Sequence, residues 1–170
     1  MSCLVDLSHW QKVVVPQRNK VTGCIPTGYE WMIKYMNIKD VDFSRFQEEF
    51  DLGVNNSLSA VGEKIMNKYS HVLIEWHAFE EGEKKLTFIR GLLGKDVPCL
   101  ISYPSYVSLA QCEMLFHIAP VVSVDDTKVR IVWNMERDND QTVDLLISNL
   151  IWCHSSFTGG HEIAWLQARA

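Results

Sequence analysis

The sequence predicts an α+β fold with helices in its first half and an antiparallel sheet in its second half. Apolar residues recur at helical spacing up to Met66, whereas the later apolar runs are short, β-branched and separated by turn residues. Helices followed by strands, rather than alternating with them, are typical of this fold class. Neither a repeat nor a low-complexity linker divides the 170 residues, so we expect one domain over residues 1–170.

The first predicted element is an apolar helix that follows a turn-rich break at residues 18–23. One of its faces carries apolar or small residues at helical spacing, namely Ile25, Gly28, Tyr29, Met32, Ile33 and Met36. Further aromatic residues lie on another face, and so wide an apolar stripe indicates a helix surrounded by protein. Pro26 suits a first-turn position, while Thr27 and Glu30 have the spacing of a capping box, so two helix starts are compatible with the sequence.

The remaining elements continue the separation of helices from strands. Helical spacing predicts helices at residues 43–50, 58–66, 84–93 and 143–152. Runs of β-branched and aromatic residues predict strands at residues 71–79, 97–103, 118–124, 128–133 and 163–166. Asp125 and Asp126 separate two of these strands and are typical of a hairpin turn, so we assign both carboxylates to the turn rather than to chemistry.

Composition and charge exclude several classes of function. A net charge of −5, a pI near 5.6 and the lack of a basic stripe argue against nucleic acid as a partner. No apolar run approaches the roughly 20 residues of a membrane helix, and the N-terminus lacks the pattern of a secretion signal. Five cysteines without a C-x-x-C spacing indicate no disulfide framework. We therefore expect a cytoplasmic protein with reduced thiols and no membrane insertion.

A metal site is not expected either. Cys153, His154 and His161 are residue types that bind metals, but their spacing matches no closed zinc motif. The segment between them is rich in Ser and Gly and is typical of a loop. The sequence thus predicts neither a metal nor a cofactor.

Cys24 is the candidate nucleophile, because it lies at the start of the first predicted helix. Unpaired N–H groups and the positive end of the helix dipole lower the pKa of a thiol in this position, which favours the reactive thiolate. The other four cysteines do not combine a helix start with candidate partners, and Cys99 lies within an apolar strand. The alternative is that Cys24 is a small buried side chain without chemistry.

Three polar residues provide the partners that a thiol nucleophile needs. His117 opens the first strand of the predicted hairpin and Asn134 follows the second, so antiparallel pairing brings these residues together. In this arrangement Cys24 attacks, His117 transfers the proton and Asn134 orients the imidazole. Gln17 offers its amide to the oxyanion, beside the Cys24 backbone N–H, and Gln11 is a rival for this role. A strand-edge histidine and a turn asparagine are the alternatives without chemistry.

Three motifs resemble a known family. They are Gly-Cys-x-Pro-Thr with an upstream Gln, the helix start Gly-Tyr-Glu-Trp-Met-Ile, and His-x-x-x-Val-Val-x-Val-Asp-Asp followed by Val-x-Ile-Val-Trp-Asn. Together they resemble the branch of papain-like cysteine peptidases that removes double-glycine bacteriocin leaders, and its stand-alone relatives. The resemblance covers residues 16–36 and 97–134. Ser123 stands where the family has Gly, and Gln17 is one residue further from Cys24 than is usual.

The resemblance implies a papain-like fold, in which the helix of the nucleophile packs against the sheet that carries the histidine. It implies the same roles for Gln17, Cys24, His117 and Asn134, although the family more often has Asp at the last position. The implied activity is cleavage of a peptide or isopeptide bond through a thioester, with a peptide or protein as substrate. A catalytically silent peptide-binding domain and a cysteine acyltransferase are the alternatives, because the fold alone does not separate them.

Overall fold

The computed structural model describes residues 4–108, 113–132, 142–146 and 162–167. The helices in these ranges are α1 (Cys24–Tyr35), α2 (Phe46–Phe50), α3 (Leu58–Lys68) and α4 (Gly82–Leu93). The strands are β1 (Val5–Asp6), β2 (Ile74–Ala78), β3 (Cys99–Ser108), β4 (Glu113–Val124), β5 (Lys128–Val132), β6 (Thr142–Leu146) and β7 (Glu162–Leu166). Helices lead and strands follow, which confirms the α+β prediction.

The strands form one antiparallel sheet with the order β2-β7-β3-β4-β5-β6, and β1 adds to β4. β3 and β4 lie at the centre of this sheet, where Tyr103 pairs with His117. The predicted hairpin joins β4 to β5. At its tip the Asp125 carboxylate accepts hydrogen bonds from the backbone N–H groups of Thr127 and Lys128 at 2.6 and 2.8 Å. Asp125 therefore has the turn role that the sequence indicates.

Helices cover both faces of the sheet. α1 lies on one face, where a Cβ added to Gly28 would be 2.7 Å from the end of the Leu100 side chain, so glycine lets the helix approach this closely without a shift of Leu100. Leu100 pairs with Ala164 on β7, and the next residue, Trp165, points to the opposite face because side chains alternate along a strand. There the Trp165 ring meets Phe88 of α4 at a centroid distance of 4.8 Å. α1 is thus buried between the sheet and the other helices, as its wide apolar stripe predicts.

One predicted helix is wrong. Residues 142–146, which include the start of the predicted helix at 143–152, form strand β6, where Val143 pairs with Ile131 of β5. An ion pair of 2.8 Å between Arg130 and Asp144 joins the same two strands. Periodicity does not distinguish a short apolar strand from a buried helical turn, so pairing with β5 decides the structure here. Residues 147–152 lie outside the described residues.

The described ranges contain neither a membrane-spanning helix nor a metal-binding cluster. None of the helices there has the length and apolarity needed to cross a membrane. Within the same ranges, no group of three or more His, Cys, Asp and Glu side chains is placed to hold a metal ion. Cys153, His154 and His161 lie outside the described residues.

Candidate active site

Cys24 is the first residue of α1, and Gly23 precedes it as a helix cap without a side-chain hydrogen bond. The Cys24 side chain is half-buried. The backbone N–H groups of Ile118, Ile25 and Cys24 itself lie near enough to the sulfur to lower its pKa. Ile118 belongs to β4 and directly follows His117. The sulfur therefore lies between the start of α1 and the strand that carries the predicted base.

The resting thiol of Cys24 is protonated at neutral pH. Burial has the largest effect and raises its pKa above the ordinary value, and the negative charge of Asp51 raises it further. The backbone N–H groups at the helix start lower the pKa, as expected from the sequence, but burial outweighs them. The expectation of a lowered pKa is thus wrong, because the sequence does not reveal how deeply the sulfur is covered. A nucleophilic Cys24 would need a base to remove its proton.

His117 is a neutral imidazole at pH 7. Its side chain is 9% exposed, and burial lowers its pKa to about 4. The ring meets Tyr103 of β3 edge to face, with centroids 5.6 Å apart. Neutral histidine has a ring nitrogen that can accept a proton, and a pKa of about 4 makes His117 a weak base for the Cys24 thiol.

Tyr103 is a member of this cluster that sequence reasoning missed. It is 2% exposed. Burial raises the pKa of its hydroxyl, and the charge of a Cys24 thiolate raises it further, so the phenol lies near the thiol. The hydroxyl has no hydrogen-bond partner among the residues that the structure describes. Tyr103 is identified by its pairing with His117 across β3 and β4, and the sequence alone does not supply this register.

Gln17 lies in the loop that leads into Cys24, and its side chain is buried. Its Nε2 donates to the backbone oxygen of Asn19 at 2.6 Å, and the same oxygen accepts from the Gly23 N–H at 3.0 Å. The rival residue Gln11 is exposed in a short 3₁₀ turn, Trp10–Lys12. Asn134, the predicted orienting residue, lies outside the described residues.

Asp51 holds the second half of the same loop. One carboxylate oxygen accepts from the Asn19 amide at 3.0 Å and the Thr22 hydroxyl at 2.8 Å, and the other accepts from the Asn56 amide and the Gly53 N–H at 2.7 and 2.9 Å. Burial favours the protonated form of Asp51, but these hydrogen bonds outweigh it and keep the carboxyl pKa below its ordinary value. The loop before Cys24 is therefore anchored at an ionised carboxylate.

We expect Gly23→Ala to disturb this loop. A Cβ at this position would be 2.7 Å from the Asn19 backbone oxygen, which is the acceptor for the Gln17 amide. Forcing the carbonyl away should cost about 1–3 kcal/mol of unfolding free energy, measured by urea denaturation. Gly91→Ala is the matched control, because no atom lies within 4 Å of its added Cβ. At this exposed position of α4 alanine also has a higher helix propensity than glycine. Equal stability changes in the two variants would contradict the prediction.

Comparison with known proteins supports the fold. No protein-family model and no curated protein matches the chain. A crystal structure of a protein from Bacillus anthracis, described as a candidate C39-like peptidase, is similar over 98% of both chains, with a TM-score of 0.63 and 14% identical residues. At this identity the similarity shows a shared fold. The activity of this chain has to be inferred from its own side chains.

Proposed function

We propose that the chain is a papain-like cysteine hydrolase, one domain over residues 1–170, that cleaves a peptide or isopeptide bond through a thioester on Cys24. One observation carries this proposal. Cys24 is the first residue of the buried helix α1, which packs on β4, the strand of the buried neutral His117, and the N–H of the next residue, Ile118, is near enough to the sulfur to lower its pKa. The fold shared with a candidate C39-like peptidase supports the same reaction class.

In the proposed reaction, the Cys24 sulfur bonds to the substrate carbonyl carbon while its proton passes to His117. The carbonyl electron pair moves to oxygen, which accepts hydrogen bonds from the Gln17 amide and the Cys24 backbone N–H. The intermediate collapses, the carbon–nitrogen bond breaks, and His117 gives the proton to the leaving amine. Water then attacks the thioester while His117 takes one of its protons, the carbon–sulfur bond breaks, and His117 returns this proton to the Cys24 sulfur as the carboxylic acid is released. Asn134 orients the imidazole in this scheme.

Gln17 is preferred over Gln11 for the oxyanion role. The buried amide of Gln17 belongs to the loop that ends at Cys24, whereas Gln11 is exposed. One N–H of the Gln17 amide is bound to Asn19, which leaves the second N–H as the donor for the oxyanion. The substrate is a peptide or protein, no cofactor takes part in the scheme, and we place the reaction in the cytoplasm.

A catalytically silent peptide-binding domain is the second candidate. The raised pKa of the Cys24 thiol favours it, because a protonated thiol is a poor nucleophile. A cysteine acyltransferase would use the same thioester and pass the acyl group to an amine instead of water. Acylation of Cys24 separates the silent domain from the two catalysts, and the fate of the acyl group separates hydrolase from transferase.

We expect p-nitrophenyl acetate to acetylate Cys24 faster than any other thiol of the chain. A burst of nitrophenolate followed by slow turnover would report the thioester, and peptide mapping would locate the acetyl group. Cys24→Ala is the blank, and the fully buried Cys99, whose pKa burial raises to about 12, is an internal comparison. If added glycine amide removes the acetyl group from Cys24 so fast that the burst disappears, and acetylated glycine amide is the product, the protein is a transferase. Acetylation elsewhere, or none, would contradict the proposal.

A further inference from the structure

Gln47 of α2 is a buried amide that uses both of its donor hydrogens and its oxygen in hydrogen bonds. Its Nε2 donates to the backbone oxygen of Pro16 at 3.0 Å and to the Glu30 carboxylate at 2.9 Å. Its Oε1 accepts from the backbone N–H of Arg18 at 2.9 Å and lies 2.9 Å from the Thr27 hydroxyl, whose single hydrogen also has the Gly23 backbone oxygen as an acceptor at 2.6 Å. Both donor hydrogens and the oxygen of the Gln47 amide are therefore in use, which fixes its rotamer.

Two of these hydrogen bonds hold the peptide groups on either side of Gln17. The Pro16 oxygen belongs to the peptide group that enters Gln17, and the Arg18 N–H belongs to the peptide group that leaves it. Holding both peptide groups fixes the two backbone dihedrals at the Gln17 Cα. The direction in which the Gln17 side chain leaves the backbone is set by these dihedrals. The Gln47 amide thereby fixes the Cα–Cβ direction of Gln17, and the hydrogen bond to the Asn19 oxygen then holds the Gln17 amide.

The other contacts of the Gln47 amide are with α1, the helix that begins at Cys24. Thr27 and Glu30 are both buried residues of α1: the Glu30 carboxylate accepts from the Gln47 amide, and the Thr27 hydroxyl lies against its oxygen. The Gln17 backbone is therefore held, through the Gln47 amide, in a fixed position relative to the helix that begins at Cys24. A rigid connection of this kind is what a preorganised oxyanion donor requires, since displacement by about 1 Å can cost about 100-fold in rate.

We infer that Gln47 is a positioning residue, which acts through Gln17 on the oxyanion formed at Cys24. This inference rests on the proposed function. An ordinary core hydrogen bond would contribute to stability alone. A positioning residue also changes the one chemical step that develops an oxyanion, and it does so only while Gln17 is present.

The test compares two reactions of the Cys24 thiol. Acetylation by p-nitrophenyl acetate passes through an oxyanion, whereas alkylation by iodoacetamide displaces iodide at carbon and forms none. The ratio of the two rates, each measured on the Cys24 peptide, reports the oxyanion donors separately from thiol reactivity. We expect Gln17→Ala to lower this ratio by about 100- to 1,000-fold. We expect Gln47→Met, which keeps the size of the side chain but removes its amide, to lower it by about 10- to 100-fold.

Two further variants separate positioning from stability. The double variant Gln17→Ala/Gln47→Met should have the same ratio as Gln17→Ala, because Gln47 has no other route to the oxyanion. Tyr29→Phe removes a buried hydrogen bond of 2.7 Å to the Leu58 oxygen, between α1 and α3 and away from the loop. It should lower the melting temperature as Gln47→Met does and leave the ratio unchanged.

The outcomes separate this inference from the function on which it rests. A normal ratio in folded Gln47→Met, with a lowered ratio in Gln17→Ala, would overturn the role of Gln47 alone. A normal ratio in Gln17→Ala would overturn the proposed oxyanion donor itself. If Gln47→Met does not fold, Gln47→Asn is measured instead, since it keeps the amide but is too short to reach both Pro16 and Glu30. The expected result for Gln47→Asn is the same lowered ratio, and a normal ratio would count against the inference.

Discussion

Replacing either Cys24 or His117 by alanine is expected to abolish thioester formation, with a loss of roughly 10⁴-fold or more in the acylation rate. Without Cys24 no sulfur is available to form the bond. Without His117 the thiol keeps its proton, because burial holds the Cys24 pKa above its ordinary value. The double variant should lose little more than either single variant, since nucleophile and base act as one unit. Acylation is measured by the nitrophenolate burst and by the mass of the Cys24 peptide.

Acylation rates of these variants can be compared only if each variant is folded. Each variant should keep a cooperative unfolding transition, because alanine at a half-buried Cys24 removes a single sulfur atom. Tyr103→Phe is a useful companion, since it keeps the ring against His117 and removes a hydroxyl that has no hydrogen-bond partner among the described residues. Losses that add between Cys24→Ala and His117→Ala would mean that the two residues act independently. The proposed mechanism would then be wrong.

The features predictable from the sequence were those determined by local patterns. The apolar stripe of α1 placed Cys24 at a helix start, and turn chemistry at Asp125 placed the β4–β5 hairpin. These patterns also placed His117 on a strand that packs against the helix of Cys24, and the neighbouring Ile118 N–H lowers the pKa of the thiol. Residues close in sequence determine helical spacing and turns, which explains why these predictions agree with the structure.

The features missed by the sequence depend on distant parts of the chain. Whether residues 142–146 form a helix or a strand is decided by pairing with β5. The pKa of Cys24 is decided by burial under other elements, and its sign was therefore predicted wrongly. The roles of Tyr103 and Gln47 follow from a strand register and from a contact across 31 positions between Gln47 and Pro16. None of these relations leaves a periodic signal in one sequence.

The buried His117 is expected to make both reactivity and stability fall at acidic pH. Its pKa in the folded protein is about 4, whereas a histidine in an unfolded chain has a pKa of about 6.5. Between these values the unfolded chain binds a proton that the folded protein does not bind, so stability decreases as the pH is lowered through this window. The linkage amounts to about 3 kcal/mol at pH 4 relative to pH 7. In the same way, acylation of Cys24 should persist to about pH 4, where His117 becomes protonated and can no longer accept a proton.

Urea denaturation of the wild-type protein and of His117→Gln at pH 7 and pH 4 measures this linkage. Other groups titrate in both proteins, so their contributions cancel in the difference between the two unfolding free energies. That difference should change by about 3 kcal/mol between the two pH values, because at pH 4 the wild type loses unfolding free energy that the variant keeps. The acylation rate of the wild type, measured where the protein stays folded, should show its acidic midpoint near pH 4. Parallel stability profiles, or an acidic midpoint near 6.5, would mean that His117 is hydrated and accessible rather than buried against Tyr103.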